Sequence, residues 1–297
     1  MTAPASQLPK VSIVIPSYKA EHFEQCLRSA IGQSYPHTEI LVSDNCPTDA
    51  IEQICARFPG VLYQRNTVIR TDNVLSALYS GKGHYIKPLF DDDILHPFCV
   101  ERMVTAMTGR DEVQLVFSAS QVIDARNDRL ETRRPYQANG TLTGRDLHRS
   151  MVLGMQNFIG EFSSIMFRRD KLWQIGWQRL FALGPHDCTR GLADVAAYLN
   201  LVEGGSAFYI DEELSYFRRD PVLQSNSNPH ANPDFGYCFS DYFDLLLASH
   251  TLGVVSDEEL LAQEPSVAAA RARLAPLFSQ VEQSYQRYLA YAAPLKG

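Results

Sequence analysis

"HYIKPLFDDDIL" occupies residues 84–95. The run over 84–90 is apolar and strand-like, it stops at Asp91, Asp92 and Asp93, and the apolar pattern resumes at Ile94. Three adjacent carboxylates repel one another, and leaving them desolvated and unpaired is costly. A positive group is therefore expected beside them in the working protein.

The segments upstream say what kind of strand this is. "VSIVIPSYK" (11–19) is a short β-branched run that reads as a buried strand stopped by Pro16. In "EHFEQCLRSAIGQS", Phe23, Cys26, Leu27, Ala30 and Ile31 recur at helical spacing. "EILVS" (39–43) predicts a second strand. The turn "DNCPTD" follows, with Thr48 or Asp49 as cap of the helix "AIEQICARF". "VLYQR" (61–65) predicts a third strand, and "NVLSALYSG" a short helix closed by Gly81. The run at 84–90 is the fourth strand. Strand and helix alternate at short spacing, which predicts an α/β fold with a mainly parallel central sheet flanked by helices. Such sheets bind ligands beyond the carboxyl ends of their strands. The loops after strands one, two and four begin "PSYK", "DNCPTD" and "DDDILHP", so these polar segments fall at the one ligand rim.

Beyond residue 97 the alternation loosens. "FCVERMVTAM" predicts a helix, "VQLVFSAS" a strand, and the polar residues 124–146 a long loop. "SSIMFRR" (163–169) predicts a strand and "LADVAAYLNLVEGG" a helix; "AFYI" and "LSYF" predict two short strands. "DPVLQSNSNPHANPD" reads as a mobile loop or lid. The tail is helical, with Ser256 and Glu259 placed for a capping box. Leu274, Leu277, Phe278, Val281, Tyr285, Tyr288 and Leu289 trace a helical stripe there, fit for packing or dimerisation.

Of 297 residues, 45% are hydrophobic and 21% charged, which suits a globular chain with a large core. A formal net charge of -7 argues against a general nucleic-acid binder. The six cysteines show no CxxC pair and read as reduced thiols of a cytoplasmic protein. "MTAPASQLPK" lacks the regions of a secretion signal, and no apolar run approaches the roughly 20 residues that span a bilayer. A cytoplasmic protein, at most peripheral at the inner face of a membrane, is expected.

A run of acidic residues is ordinarily a solvated face or a helix N-terminus. A buried strand that delivers carboxylates to a ligand rim suits a hard divalent cation instead. Mg²⁺ or Mn²⁺ takes a few carboxylate oxygens and completes its shell with water and substrate phosphates. The substrate implied is a phosphate ester or diphosphate.

"VSIVIPSYK", "EILVSDNCPTD" and "TDNVLSALYSGKGHYIKPLFDDDIL", with "GEFSSIMFRR", "LADVAAYLNLV" and "LSYFRRDPVLQSN", together resemble family 2 glycosyltransferases of the GT-A fold. The resemblance covers roughly residues 10–228 and rests on the order and spacing of the pieces. It implies a bacterial-type, inverting transfer of one sugar from a nucleotide sugar. UDP- or dTDP-sugars are favoured, and the acceptor is a hydroxyl of a saccharide, lipid-linked or protein molecule in cell-surface glycan synthesis.

The resemblance also implies roles for particular residues. Pro16, Ser17 and Tyr18 line the nucleotide base, Asp44 accepts a hydrogen bond from it, and Arg70 and Asn73 contact the nucleotide. The family's acidic motif usually reads Asp-x-Asp-Asp. Here its last two positions are Asp92 and Asp93 as metal ligands, its first falls on Phe90, and Asp91 substitutes for it on the ribose or the metal. Asp194 in "GLADVAAYL" matches the general base, with Asp187 in "GPHDC" as rival. Glu161 in "GEF" falls on the acceptor side or is structural. Arg218 or Arg219 is a candidate partner of the diphosphate, and Asp220 an extra metal ligand.

The implied division is a catalytic domain over 1–228 and a helical extension over 229–297. The catalytic domain has a nucleotide-binding half at about 10–110 and an acceptor-binding half at about 111–228. The extension can pack on that domain or form a homodimer. A sugar-phosphate nucleotidyltransferase is the first competing reading, disfavoured because "PSYKAEH" has no glycine to cradle phosphates. A non-catalytic nucleotide-sugar-binding protein is the second. A processive synthase would show a Gln-x-x-Arg-Trp stretch, which is absent.

Overall fold

The structure is a computed structural model and describes residues 8–219, 232 and 234–296. The strands run β1 (Val11–Ser17), β2 (Thr38–Asp44), β3 (Val61–Arg65), β4 (Tyr85–Pro88), β5 (Ile94–Leu95) and β6 (Val113–Ile123). They continue as β7 (Arg129–Arg133), β8 (Gly140–Thr143), β9 (Ile165–Arg168), β10 (Ala182–Leu183), β11 (His186–Asp187) and β12 (Ser206–Arg218). The helices are α1 (Phe23–Ile31), α2 (Ala50–Cys55), α3 (Thr71–Ser80), α4 (Cys99–Met107), α5 (Gly144–Leu153) and α6 (Arg169–Ile175). After them come α7 (Ala193–Leu201), α8 (Tyr237–Thr251), α9 (Asp257–Ala262), α10 (Glu264–Leu274) and α11 (Ser279–Ala292).

Among the described residues, one sheet takes the order β3-β2-β1-β4-β9-β6-β12-β5, with β7 on β6 and β8 on β12. β3, β2, β1 and β4 are mutually parallel. β9 runs antiparallel to both β4 and β6, and β12 runs parallel to β6. The mainly parallel sheet expected from the alternation is present.

Every residue of the central strand β1 is buried. That strand does not stop at Pro16 but runs on to Ser17. The carbonyl of Val14 accepts from Leu89, so even-numbered residues of β1 face β4, and β4 pairing ends at Pro88. The missing N–H of Pro16 thus falls where no partner remains. Gly83, which leads into β4, passes so close to β1 that a Cβ would meet Ser12 N at 2.6 Å and Lys10 O at 2.7 Å.

Other expectations also change. Residues 124–146 are not one loop but hold β7, β8 and the start of α5. β7 lies at an edge, is nearly all exposed, and is fixed by backbone pairing to β6, so it has no apolar pattern to read. "AFYI" and "LSYF" belong to the single strand β12, whose register shifts between Ile210 and Glu213 and again before Ser215. The acidic residues at that irregularity mimic a break. The tail stripe is not continuous: α10 ends at Leu274, α11 begins at Ser279, and Leu277 is exposed. The lid expectation at 220–231 lies outside the described residues.

The chain forms two compact units. The first contains the described residues of Met1–Leu142, with Phe158–Trp177 and Gly205–Arg219. It holds the sheet and a core built from β1, α1 and α4. The second contains Thr143–Asn157, Gln178–Gly204 and the described part of Asp220–Gly297. There α11 buries Val281, Ser284, Tyr288 and Ala292 and packs on α8. The buried Asp244 of α8 is satisfied by Ser284 at 2.7 Å and by Arg287 Nε at 2.8 Å. Ser256 and Glu259 form the expected capping box of α9.

Candidate active site

The aspartates follow β4 directly, and α4 begins only at Cys99, beyond β5, so they are not the first turn of that helix. Each carboxylate has a different environment. Asp91 Oδ2 accepts from the backbone N–H groups of Tyr18 and Lys19, both at 2.7 Å. This ties the loop after β1 to the end of β4. Burial and the neighbouring Asp92 push the Asp91 carboxyl up to about 6.

Asp92, the most accessible of the three, receives the ammonium of Lys19 at 2.5 Å. Burial would lower the pKa of that ammonium, but the Asp92 and Asp91 carboxylates outweigh it and raise it. Asp93 is fully buried; its Oδ1 accepts from Arg218 N at 3.0 Å. Its Oδ2 makes no hydrogen bond of good geometry among the described residues, although the Ser163 hydroxyl lies near enough to favour the ionised carboxyl. Burial, with Asp92 second, pushes the Asp93 carboxyl well above the ordinary range.

The surroundings are built to hold this corner. Lys87 of β4 is fully buried and donates to the carbonyls of Pro88 at 2.8 Å and Ser163 at 2.6 Å. Burial draws its pKa down to about 8. Ser163 Oγ in turn accepts from Phe90 N at 3.0 Å. Arg218 extends under the aspartates. Its guanidinium donates to the carbonyls of Asp92 (2.9 Å) and Asp124 (2.7 Å), and to the side chains of Gln25 (3.0 Å) and Asn127 (2.8 Å). These bonds fix the corner from below and commit most of its five donors to scaffold. Arg219 is exposed and pairs with Glu131 at 3.2 Å. Asp220 lies outside the described residues.

At the ends of β2 and β3, Asp44 is fully buried. Its Oδ1 accepts from Cys46 N at 2.7 Å, and its Oδ2 from Tyr63 OH at 2.7 Å and Arg65 at 3.4 Å. Asn73 donates to Ser43 O and Asn45, and accepts from Ser43 Oγ and Asn66, which uses its four hydrogen-bonding positions. It is a clasp between β2 and the loop after β3. Pro16 and Ser17 are buried and Tyr18 is exposed. Arg70 is exposed and precedes α3 with φ of 52°, in the region disfavoured for side chains with a Cβ. Glu161 is held by Arg133 through both oxygens, at 2.6 and 2.5 Å, and Arg133 lies 5.0 Å from the ring of Phe217.

In the second unit, Asp194 sits in the first turn of α7. Its Oδ2 accepts from Asn157 Nδ2 at 2.8 Å and its Oδ1 from Val195 N at 2.8 Å. Asp187 is exposed and accepts from Thr189 N at 2.9 Å. His186, Cys188 and Asp241 also approach one another there. Asp241 is engaged by Leu192 N at 2.9 Å and by His186 at 3.2 Å, so it latches α8 to the segment before α7. Its N/S/O donor set suits a softer ion than Mg²⁺.

Sequence reasoning missed Lys19, Tyr63, Arg65, Lys87, Arg133 and Asn157. Lys19 carried a signal, as the lone cation of "PSYK" on the ligand rim. Lys87 carried another, as a charge inside an otherwise apolar strand. The rest depend on pairings between distant segments.

The acidic corner fits a divalent cation. It holds a buried carboxylate oxygen without a hydrogen bond of good geometry, an accessible carboxylate beside it, and an ammonium already drawn to them. The oxygen-only donor set suits Mg²⁺ or Mn²⁺.

Comparison with known proteins agrees with this architecture. TuaG of Bacillus subtilis (strain 168), named for teichuronic acid biosynthesis, is 25% identical over 218 residues, 71% of this chain and 79% of TuaG. Several other curated relatives are matched over only 39–42% of their own length. Staphylococcus aureus TarS, solved with UDP-GlcNAc, superposes with a TM-score of 0.61 at 12% identity, over 96% of this chain and 90% of that one. The mannosyltransferase PcManGT of Pyrobaculum calidifontis, solved with GDP-Man and Mn2+, gives 0.52 at 16% identity, over 99% and 88%. These two likenesses concern the fold. No helix among the described residues is long and apolar enough to cross a membrane. The model of the glycosyl transferase family 2 matches residues 12–176, more than half the chain, and the protein belongs to that family.

Proposed function

We propose that the protein transfers a single sugar, with inversion, from a nucleoside diphosphate sugar to an acceptor hydroxyl in cell-surface glycan synthesis. UDP- or dTDP-sugars are the favoured donors, and the acceptor is a saccharide, a lipid-linked molecule or a protein. The observation that carries this reading is the buried Oδ2 of Asp93, without a hydrogen bond of good geometry, beside the accessible Asp92 at the end of β4. A carboxylate oxygen left so is costly unless a cation completes it. The naming of TuaG for teichuronic acid biosynthesis supports the glycan class, and the UDP-GlcNAc complex of TarS supports a uridine nucleotide.

Asp92 and Asp93 would hold Mn²⁺ or Mg²⁺, as the Mn2+ complex of PcManGT also suggests. When bound, the ion supplies positive charge against the diphosphate that departs. Asp91 acts through the loop after β1, which it fixes against the corner. Asp44 recognises the base, which requires its bond to Tyr63 or Arg65 to loosen. Pro16, Ser17 and Tyr18 line that base, and Arg70 and Asn73 shape its nucleotide side. Asp194 takes the proton of the acceptor hydroxyl as that oxygen bonds to the anomeric carbon and the bond to diphosphate breaks. Its orientation is set by Asn157. Glu161, with Arg133, shapes the acceptor side, and Arg219 is the arginine free of the scaffold role of Arg218. The chain works at the inner face of a membrane when its acceptor is lipid-linked, and the helices beyond 228 serve packing or a homodimer.

The test is calorimetric titration with UDP, dTDP and GDP, with and without Mn²⁺, followed by assay of Asp194→Asn. Uridine or thymidine diphosphate binding that requires Mn²⁺ is expected. In Asp194→Asn, turnover should fall about 10²–10⁴-fold with nucleotide affinity nearly unchanged. Unchanged turnover removes Asp194 as the base, and metal-independent binding removes the role of the corner.

A further inference from the structure

The carboxylate that an incoming cation reaches first is already engaged. The side chain of Asp92 is 13% exposed and carries the Lys19 ammonium on Oδ2 at 2.5 Å. The backbone of Lys19 cannot retreat, because its N–H is held by Asp91 at 2.7 Å. Its side chain is 20% exposed and reaches Asp92 through a flexible four-carbon stem, so the charged head alone can swing away. A divalent ion bound to either oxygen of Asp92 competes with the ammonium for the same negative charge. At about 4 Å their repulsion is large in a partly desolvated corner.

We propose that Lys19 is an exchangeable counter-ion. It neutralises Asp92 until a divalent cation and a nucleoside diphosphate arrive together, and then passes its charge from the carboxylate to the diphosphate. This rests on the metal reading above and goes beyond it, because it assigns the order of events to one side chain. The cation alone must expel the ammonium into solvent without a partner. With diphosphate present, the expelled ammonium gains new anionic oxygens on the same rim. Metal and diphosphate therefore bind with positive coupling, to which Lys19 adds a share beyond the phosphate oxygens that complete the ion's shell. Coupling of this kind is reciprocal and typically about 5–150-fold.

The experiment counts free Mn²⁺ by electron paramagnetic resonance, with and without UDP, after subtracting the Mn²⁺ that UDP chelates in protein-free mixtures. The proteins are the unmodified chain, Lys19→Met, Lys19→Arg and Lys82→Met, the last an exposed lysine elsewhere on the same unit. For the unmodified chain, UDP should tighten Mn²⁺ binding by about tenfold or more. Lys19→Met should bind Mn²⁺ alone about tenfold tighter than the unmodified chain and show a correspondingly smaller UDP effect. Lys19→Arg and Lys82→Met should keep the coupling. Should Lys19→Met fail to fold by circular dichroism, Lys19→Gln takes its place with the same expectation. Equal Mn²⁺ binding by the unmodified chain and Lys19→Met overturns the inference and leaves the metal reading intact. An equal gain in Lys82→Met also overturns it, since any lost positive charge would then suffice. No Mn²⁺ binding by any variant, even with UDP, overturns both.

Discussion

Arg218 and Asp93 meet through the main chain: the amide of Arg218 donates to Asp93 Oδ1 at 3.0 Å, while its guanidinium reaches the Asp92 carbonyl at 2.9 Å. An arginine that in sequence looks like a diphosphate partner is thereby a brace beneath the aspartates. Arg218→Met removes the guanidinium from two carbonyls and two side-chain amides, of which the Asp124 carbonyl keeps Asn127 N and the amides of Gln25 and Asn127 stand on exposed residues. The expected cost is about 2–4 kcal/mol, read as a lower urea midpoint. A variant that keeps full stability yet loses diphosphate affinity would return Arg218 to direct contact.

Tyr63 locks Asp44. Tyr63→Phe removes one hydrogen bond to a buried carboxylate and should cost about 1–3 kcal/mol. If Asp44 reads the base, the same variant frees an acceptor and should change affinity for UDP but not for GDP. Asp44→Ala should weaken UDP and dTDP selectively. Equal losses for GDP would argue against base recognition by Asp44.

Gly191 lies against α8. A Cβ there would meet Asp241 Oδ2 at 2.3 Å and the Tyr237 carbonyl carbon at 2.6 Å. Gly191→Ala should destabilise by about 1–3 kcal/mol through overpacking. Because the latch precedes α7, turnover should fall as well, with UDP affinity unchanged. Equal thermal midpoints for the two proteins would disprove the tight fit.

Glu259 couples α9 to α5. The Arg149 guanidinium, and after it the Ser256 amide, hold its carboxyl down to about 2. The folded value lies below the unfolded one of about 4.3, so the unfolded chain binds more protons in between. The stabilisation is present above about pH 4.3 and is lost as pH falls toward about 2. Arg149→Met should flatten the thermal midpoint in that window, while the unmodified chain keeps its acid-side slope. Parallel curves would remove the pair from the acid response.

The first half of the fold was legible because β1, β2 and β4 bury apolar residues on both faces and the strands are punctuated by turn residues. The second half was not. β7 and the middle of β12 are fixed by backbone pairing, which leaves no mark on side-chain polarity. Helix α6 is short and buries only Leu172 and Ile175, so its periodicity is faint, whereas α5 buries Leu147, His148, Met151 and Val152 at helical spacing that the polar residues before it obscured. Legibility at the site followed the same line. The aspartates stand out by type and by their place at the end of β4, whereas Asp194 was singled out by the family resemblance. Tyr63, Arg133 and Asn157 acquire meaning only from partners far along the chain.

By itself, the sequence determined that a carboxylate triplet follows a buried parallel strand at its carboxyl end, since hydrophobic patterning and chain order are local properties. The tertiary structure alone decided how the three carboxylates divide their labour. Asp91 anchors a loop, Asp92 carries a lysine, and Asp93 keeps one oxygen without a hydrogen bond of good geometry. The reason is electrostatic: charges on neighbouring residues are told apart only by which donors the folded chain brings to each, and how much water it leaves them.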